Sequence, residues 1–153
     1  MARVYLGGPI AGLSYEEARN GPRVQFARLL HPSIEPLSPM RQEGMLAEIK
    51  ELRSVGYGTY PLHTNRGIVT KDCLDINRSD VVVMNFQGAK KPSLGSVWEM
   101  GYAVAKGKPL VLIMDKDREN DPHTSCFVLE SGIIVFTVQD AADIVNGMLV
   151  GGV

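Results

Sequence analysis

The stretch from Asp80 to Asp115, DVVVMNFQGAKKPSLGSVWEMGYAVAKGKPLVLIMD, decides how this chain folds. Val81 to Phe86 is a nearly continuous apolar run, as a strand buried on both faces requires. A turn-rich passage follows, and SLGSVWEMGYAVAKG then has helical character, with Ser96 as the expected N-cap and Gly107 as the C-terminal glycine. Beyond Pro109 the apolar run resumes in LVLIM. Strand, helix and strand, with both strands hydrophobic throughout, describe a unit of parallel sheet crossed by a helix.

Working outward, the same alternation recurs on both sides. ARVYLGG is a compact apolar run stopped by Gly7, Gly8 and Pro9. SYEEARNGPRVQFARLLH predicts a helix that begins with Ser14 and Glu17 as a capping box and is interrupted by Gly21 and Pro22. SIEPL is a short strand, IVTKDCLDINRSD a helix with Ile68 and Ile76 on one stripe, GIIVFTV a strand and DAADIVNGMLV a closing amphipathic helix. Between them, QEGMLAEIKELRSVG looks helical and YGTYPLHTNRG is turn-rich; residues 42–66 read as an insertion over one face. The expected architecture is a doubly wound parallel sheet of about five strands with helices on both faces, flavodoxin- or Rossmann-like, forming one domain over residues 1–153. In such sheets ligands bind outside the carboxyl ends of the strands.

Bulk properties narrow the partners. Among 153 residues, 44% are apolar and 22% charged, and 16 Lys and Arg against 17 Asp and Glu leave a formal net charge of -1. No field of one sign is present to attract a nucleic acid backbone or an anionic membrane. Cys73 and Cys126 match neither a disulfide framework nor metal-ligand spacing, and are expected to be small buried hydrophobes in a reducing compartment. The N-terminal residues lack the form of a signal peptide, and no apolar stretch reaches the ~18 residues of a membrane span, so a cytoplasmic location is expected. His31, His63 and His123 are scattered without ligand spacing, and no metal is expected.

Several residues carry possible chemistry. LGGPIAG makes a glycine-rich turn after the first strand, suited to close approach by a ligand, although it lacks GxGxxG spacing and equally describes a tight turn. Ser96 and Glu99 in SVWE have the form of a capping box. The preceding Ser93, Leu94 and Gly95 make a nest of backbone donors suited to an anion or a sugar hydroxyl, and a carboxylate near a helix N-terminus is favoured in its ionised, nucleophilic form. Asp72 lies one turn before Ile76 and therefore on the buried side of its helix, whereas Asp75 reads as a solvated helix charge and Asp80 as a turn residue. Tyr5 is either a core aromatic or a hydroxyl that orients a carboxylate. Two carboxyls on one cavity, ~5–5.5 Å apart, are the pair used for retaining glycosidic scission.

RVYLGGPI, KDCLDINRSDVVVMNF and SLGSVWEMGYAVAKGKPLVLI together resemble the nucleoside 2-deoxyribosyltransferase family and its relatives, the nucleotide N-glycosidases. The resemblance spans most of the chain, and is weakest over residues 41–66. It implies a retaining double displacement in which Glu99 attacks C1′ of the deoxyribose, Asp72 protonates the leaving base and Tyr5 holds the nucleophile. It further implies that Gly7, Gly8 and Pro9 line the sugar-base pocket with Ser93, Gly95 and Ser96 beside them. No cofactor is implied. No polymeric nucleic acid or membrane is expected as a partner; a nucleoside or nucleotide and a free nucleobase are. Each site in the family is completed across a subunit interface, which implies a homodimer or higher oligomer.

Two departures divide the reading. The transferases commonly have Asp at the position of Ser93, whereas the 5′-monophosphate N-hydrolases have Ser there and a second Ser, aligned with Ser125, contributed by a neighbouring subunit. Those hydrolases also tend to have an Arg where Ala11 stands. The expectation is therefore deoxyribosyl transfer to an acceptor base, with 5′-monophosphate hydrolysis as the alternative. A ribonucleotide phosphoribohydrolase is disfavoured because Ser93-Leu94-Gly95-Ser96 replaces the glycines of PGGxGTxxE. A non-catalytic nucleotide sensor is disfavoured by retention of both Asp72 and Glu99.

Overall fold

A computed structural model describes residues 1–117 and 119–151. Five strands form one wholly parallel sheet in the order β2-β1-β3-β4-β5, with β1 at Ala2–Gly7, β2 at Ile34–Leu37, β3 at Val81–Asn85, β4 at Leu110–Ile113 and β5 at Ile133–Val135. The helices are α1 Tyr15–Asn20, α2 Pro22–Leu29, α3 Asn65–Arg78, α4 Leu94–Ala105, α5 Cys126–Leu129 and α6 Val138–Leu149. This is the expected doubly wound architecture.

Alternation along the central strands divides the core in two. Val4, Leu6, Val81, Val83, Val111 and Ile113 pack with Phe26 of α2 and Val145 of α6 on one face. Tyr5, Val82, Met84 and Leu112 pack with Ile76 of α3 and Met100 of α4 on the other. Apolar residues on both faces of each strand are what a sheet covered on both sides demands. The strand order reverses direction between β1 and β3, so the segments leaving their carboxyl ends splay apart and open a crevice.

The helix interruption at Gly21 and Pro22 is a true break. Ser14 and Glu17 form a reciprocal capping box on α1, and Pro22 starts α2 at its first turn, where a missing N–H costs nothing. The 42–66 insertion departs from expectation. Its QEGMLAEIKELRSVG stretch holds a single turn of 3-10 helix at Gly44–Leu46 and is otherwise irregular. Leu52 shows why: its N–H donates to Leu13 O at 2.7 Å and its carbonyl accepts from Gly12 N–H at 2.9 Å, so its backbone pairs with the loop after β1. Met40, Leu46 and Leu52 then pack with Tyr15 and Ala18 into a third small core. A helix could not satisfy both requirements.

Candidate active site

The crevice between the β1 and β3 ends is a cleft of about 660 Å3, roofed by the insertion. The loop from Gly8 to Leu13 forms one wall, and the segment from Gly88 into the first turn of α4 forms another. Gly8 is obligatory in this turn. Its φ is +140°, and a Cβ there would stand 2.5 Å from Asn85 O. Gly7 serves packing, since a Cβ on it would overlap Met84 Sδ at 2.2 Å. Gly8 and Pro9 line the cleft, whereas Gly7 lies behind its surface.

Asp72 and Glu99 both line this cleft, one from the buried side of α3 and one from α4. Glu99 is not a capping residue. The N-cap of α4 is Ser93, whose Oγ accepts from Ser96 N–H at 3.4 Å and lies 2.9 Å from Ser96 Oγ. Ser96 is thus the third helical residue rather than the cap, and Glu99 falls in the second turn, beyond the strongest influence of the helix dipole. Its carboxyl is not held ionised there. Burial, followed by the negative charge of Asp72, pushes it up to about 8, while Tyr5 and Arg23 pull it down. Burial also raises Asp72, to about 6. Asp72 Oδ1 is buried without a hydrogen-bond partner.

Tyr5 is fully buried on the α3–α4 side of β1. Its hydroxyl neighbours Glu99 closely enough to act on its ionisation, yet makes no well-formed hydrogen bond with any protein group. Burial and the charges of Glu99 and Asp72 hold that hydroxyl protonated well above the usual phenol range, so it is a donor in waiting.

Sequence reasoning missed Arg23. From α2 it donates to Gly8 O at 2.8 Å, Ala18 O at 2.9 Å and Leu6 O at 3.3 Å, clamping the end of β1 while its charge favours the ionised form of Glu99. Its only signal was an arginine directly after the helix-starting Pro22. His123 was also missed as a site residue. Its ring stacks on Phe86 at 4.2 Å, and its Nε2 accepts from Ser93 N–H at 2.8 Å. Burial lowers its pKa, which keeps that nitrogen free to accept.

The remaining candidates fall in different places. Ser93, Gly95 and Ser96 line the cleft. Ser125 caps α5 by accepting from Val128 N–H at 3.4 Å, and does not line the cleft of its own chain. Asp75 is not solvated: it is fully buried, paired with Arg41 through both carboxylate oxygens and with Arg78 at 3.1 Å. Asp80, read as a turn residue, accepts from Arg3 N–H at 2.8 Å and so ties the start of β3 to β1. Cys73 is half-buried and Cys126 is exposed, so the expectation of two buried thiols fails for Cys126, which sits at the first position of a four-residue surface helix. Among the described residues no three His, Cys, Asp or Glu side chains gather as a metal site, and no helix is long and apolar enough to cross a membrane.

Fold and site together define an α/β protein with paired carboxyls in a switch-point cleft. Residues 4–148 match the family model for nucleoside 2-deoxyribosyltransferase, and the chain belongs to that family. A conserved protein from Enterococcus faecalis V583 has a similar structure, with a TM-score of 0.69 at 20% identity over 97% of this chain and 99% of that one. DNA processing protein A from Helicobacter pylori, described for its single-stranded DNA binding, shares the fold at a TM-score of 0.57 and 15% identity, covering 96% of this chain and 81% of that one. The 2-desoxiribosyltransferase from Leishmania mexicana aligns at 19% identity and a TM-score of 0.47 over 74% of this chain and 65% of that one. No curated protein matches the chain in sequence.

Proposed function

We propose that this protein cleaves the N-glycosidic bond of 2′-deoxynucleosides or their 5′-monophosphates by a retaining double displacement, and transfers the deoxyribosyl group to an acceptor base. The observation that carries this reading is the meeting of Asp72 and Glu99 in one cleft, where the negative charge of Asp72 raises the Glu99 carboxyl and the Tyr5 hydroxyl beside it lowers it. Glu99 attacks C1′ as the C1′–N bond breaks and the proton of Asp72 passes to the base nitrogen. A deoxyribosyl ester on Glu99 remains. The acceptor base then attacks C1′ from the vacated side and gives its proton to Asp72, and the Glu99 carboxylate departs.

The pair needs a single proton, on Asp72, with Glu99 ionised. In the free protein burial leaves the higher value on Glu99, about 8 against about 6 for Asp72, so the shared proton rests on Glu99. Tyr5 and Arg23 oppose this by stabilising the Glu99 carboxylate, and the proposed reaction requires the proton to pass to Asp72 once substrate fills the cleft. Hydrolysis of a 5′-monophosphate is the second reading, favoured by one observation: Lys90 and Lys91 line the cleft beside Ser93 and the N-terminus of α4. They offer the positive charge that Ala11 does not.

Ser125 lies outside its own cleft, and Leu94, at the cleft's edge, and Trp98, one turn further along α4, expose 84% and 51% of their surface. Both features support a homo-oligomer whose copies complete each other's sites. The deciding experiment incubates the protein with deoxynucleosides and with their 5′-monophosphates, each with and without a second free base, and separates the products by chromatography. New nucleoside formed only with the second base supports transfer; free base and deoxyribose 5-phosphate from monophosphates alone support hydrolysis. No base release with either overturns the reading.

A further inference from the structure

Beside Asp72, two charged side chains and a histidine lie largely out of solvent together where the insertion meets α3. Lys71 Nζ donates to Glu43 Oε1 at 2.9 Å and to Pro39 O at 2.6 Å, and His63 Nε2 stands 3.1 Å from Glu43 Oε2. The side chains of Glu43, His63 and Lys71 are only 9%, 11% and 13% exposed. Lys71 is the chain neighbour of Asp72, and both line the cleft, yet the ion-pair partner of Lys71 is Glu43. A buried carboxylate and ammonium left unpaired so near each other would pair, and a salt-bridged Asp72 would have no proton to give.

We propose that Glu43, itself held by His63, is a positioning residue for the general acid: it anchors the Lys71 ammonium to the insertion, so that Asp72 retains its proton for the leaving base. The inference rests on the reading of Asp72 as the acid. The charges around Asp72 are consistent with it. After burial, Lys71 and Arg41 lower the pKa of Asp72 and Asp75 and Glu43 raise it, with Glu99 facing it from α4 and Tyr5 from β1. Asp75 and Arg41 are committed to each other. Lys71 is therefore the cation whose placement matters.

The insertion also gains a staple from this cluster, and the test must separate the two roles. The Asp72 carboxyl is titrated by carbon-13 NMR in a Glu99→Gln background, without substrate, so the outcome does not depend on turnover. Glu43→Gln is expected to lower the Asp72 pKa by roughly half to one unit, and Lys71→Met to raise it by a similar amount. If Glu43 acts by holding Lys71, its replacement has little further effect once Lys71 is Met, and the double variant should titrate close to Lys71→Met alone. Two charges acting on Asp72 independently also give opposed single shifts, but those shifts add and return the double variant to the background; additive shifts, or single variants that move in one direction or not at all, overturn the proposal. Should Glu43→Gln alone not fold, Lys71→Met and the double variant still have to titrate together; should Lys71→Met alone not fold, Glu43→Gln still has to titrate below the double variant. Opposed shifts in a protein that releases no base would leave the clamp standing and defeat only the catalytic reading.

Discussion

At the scale of the residue, the proposed double displacement makes the paired carboxyls set the pH dependence of activity, and their burial sets a cost in stability. Activity needs one proton on the pair. Below about 6 both carboxyls are protonated and no nucleophile remains; above about 8 both are ionised and no acid remains. The profile of kcat/KM is expected to be a bell with limbs near those values, and a flat profile from pH 5 to 9 would rule out this pair. The same shifts govern stability. An acid whose folded pKa lies above its unfolded value of about 4 binds more protons when folded, so stability falls as pH rises from about 4 towards 8. Glu99→Gln removes that penalty. It should abolish turnover while raising stability at pH 8 by on the order of 1 kcal/mol, read as a higher Tm, with little gain at pH 4; a lower Tm at pH 8 would show that Glu99 is structurally required.

At the scale of the element, the first turn of α4 presents Ser93, Gly95 and Ser96 to the cleft, and His123 fixes the Ser93 backbone. Ser93→Asp keeps an N-capping oxygen but places a negative charge beside the 5′ end of a bound substrate. It is expected to reduce kcat/KM for 5′-monophosphates at least tenfold more than for nucleosides, and equal losses on both would remove the phosphate argument. The glycine turn after β1 makes a second test. Gly8→Ala would force a Cβ against Asn85 O at a positive φ, and so displace the wall of the cleft. Activity should fall more than a hundredfold with a loss of stability of about 1–3 kcal/mol by denaturant melt. Unchanged activity would mean that the wall is not part of the site.

At the scale of the whole molecule, exposed apolar side chains gather on α4 and α5. Leu94 and Trp98 stand one turn apart, Trp98 stacks on Tyr102 at 5.6 Å, and Phe127 of α5 exposes 81% of its surface. Sedimentation is expected to show a dimer or larger assembly that Trp98→Glu dissociates. If the wild-type chain sediments as a monomer at working concentration, the shared-site proposal is lost.

The sheet, its parallel sense and the helices around it were legible because buried strands impose continuous apolar runs and helix starts impose Ser, Thr and Pro. That Glu99 and Asp72 face one cleft was legible because SVWEMGYAVAKG and KDCLDI carry the pattern of the family. Arg23 and His123 were not, because each acts on a backbone atom of a distant segment and needs no particular spacing to do so. Glu43, His63 and Lys71 escaped notice for the same reason. Glu43 and His63 belong to an insertion tied by Leu52 to the loop after β1, and Lys71 reaches them from α3. Local sequence thus determined which segments form strands and helices, since propensity, capping and periodicity act over a few residues. Only the tertiary structure decided which charges share a cleft, because burial and charge repulsion between side chains depend on distances that no spacing along the chain sets.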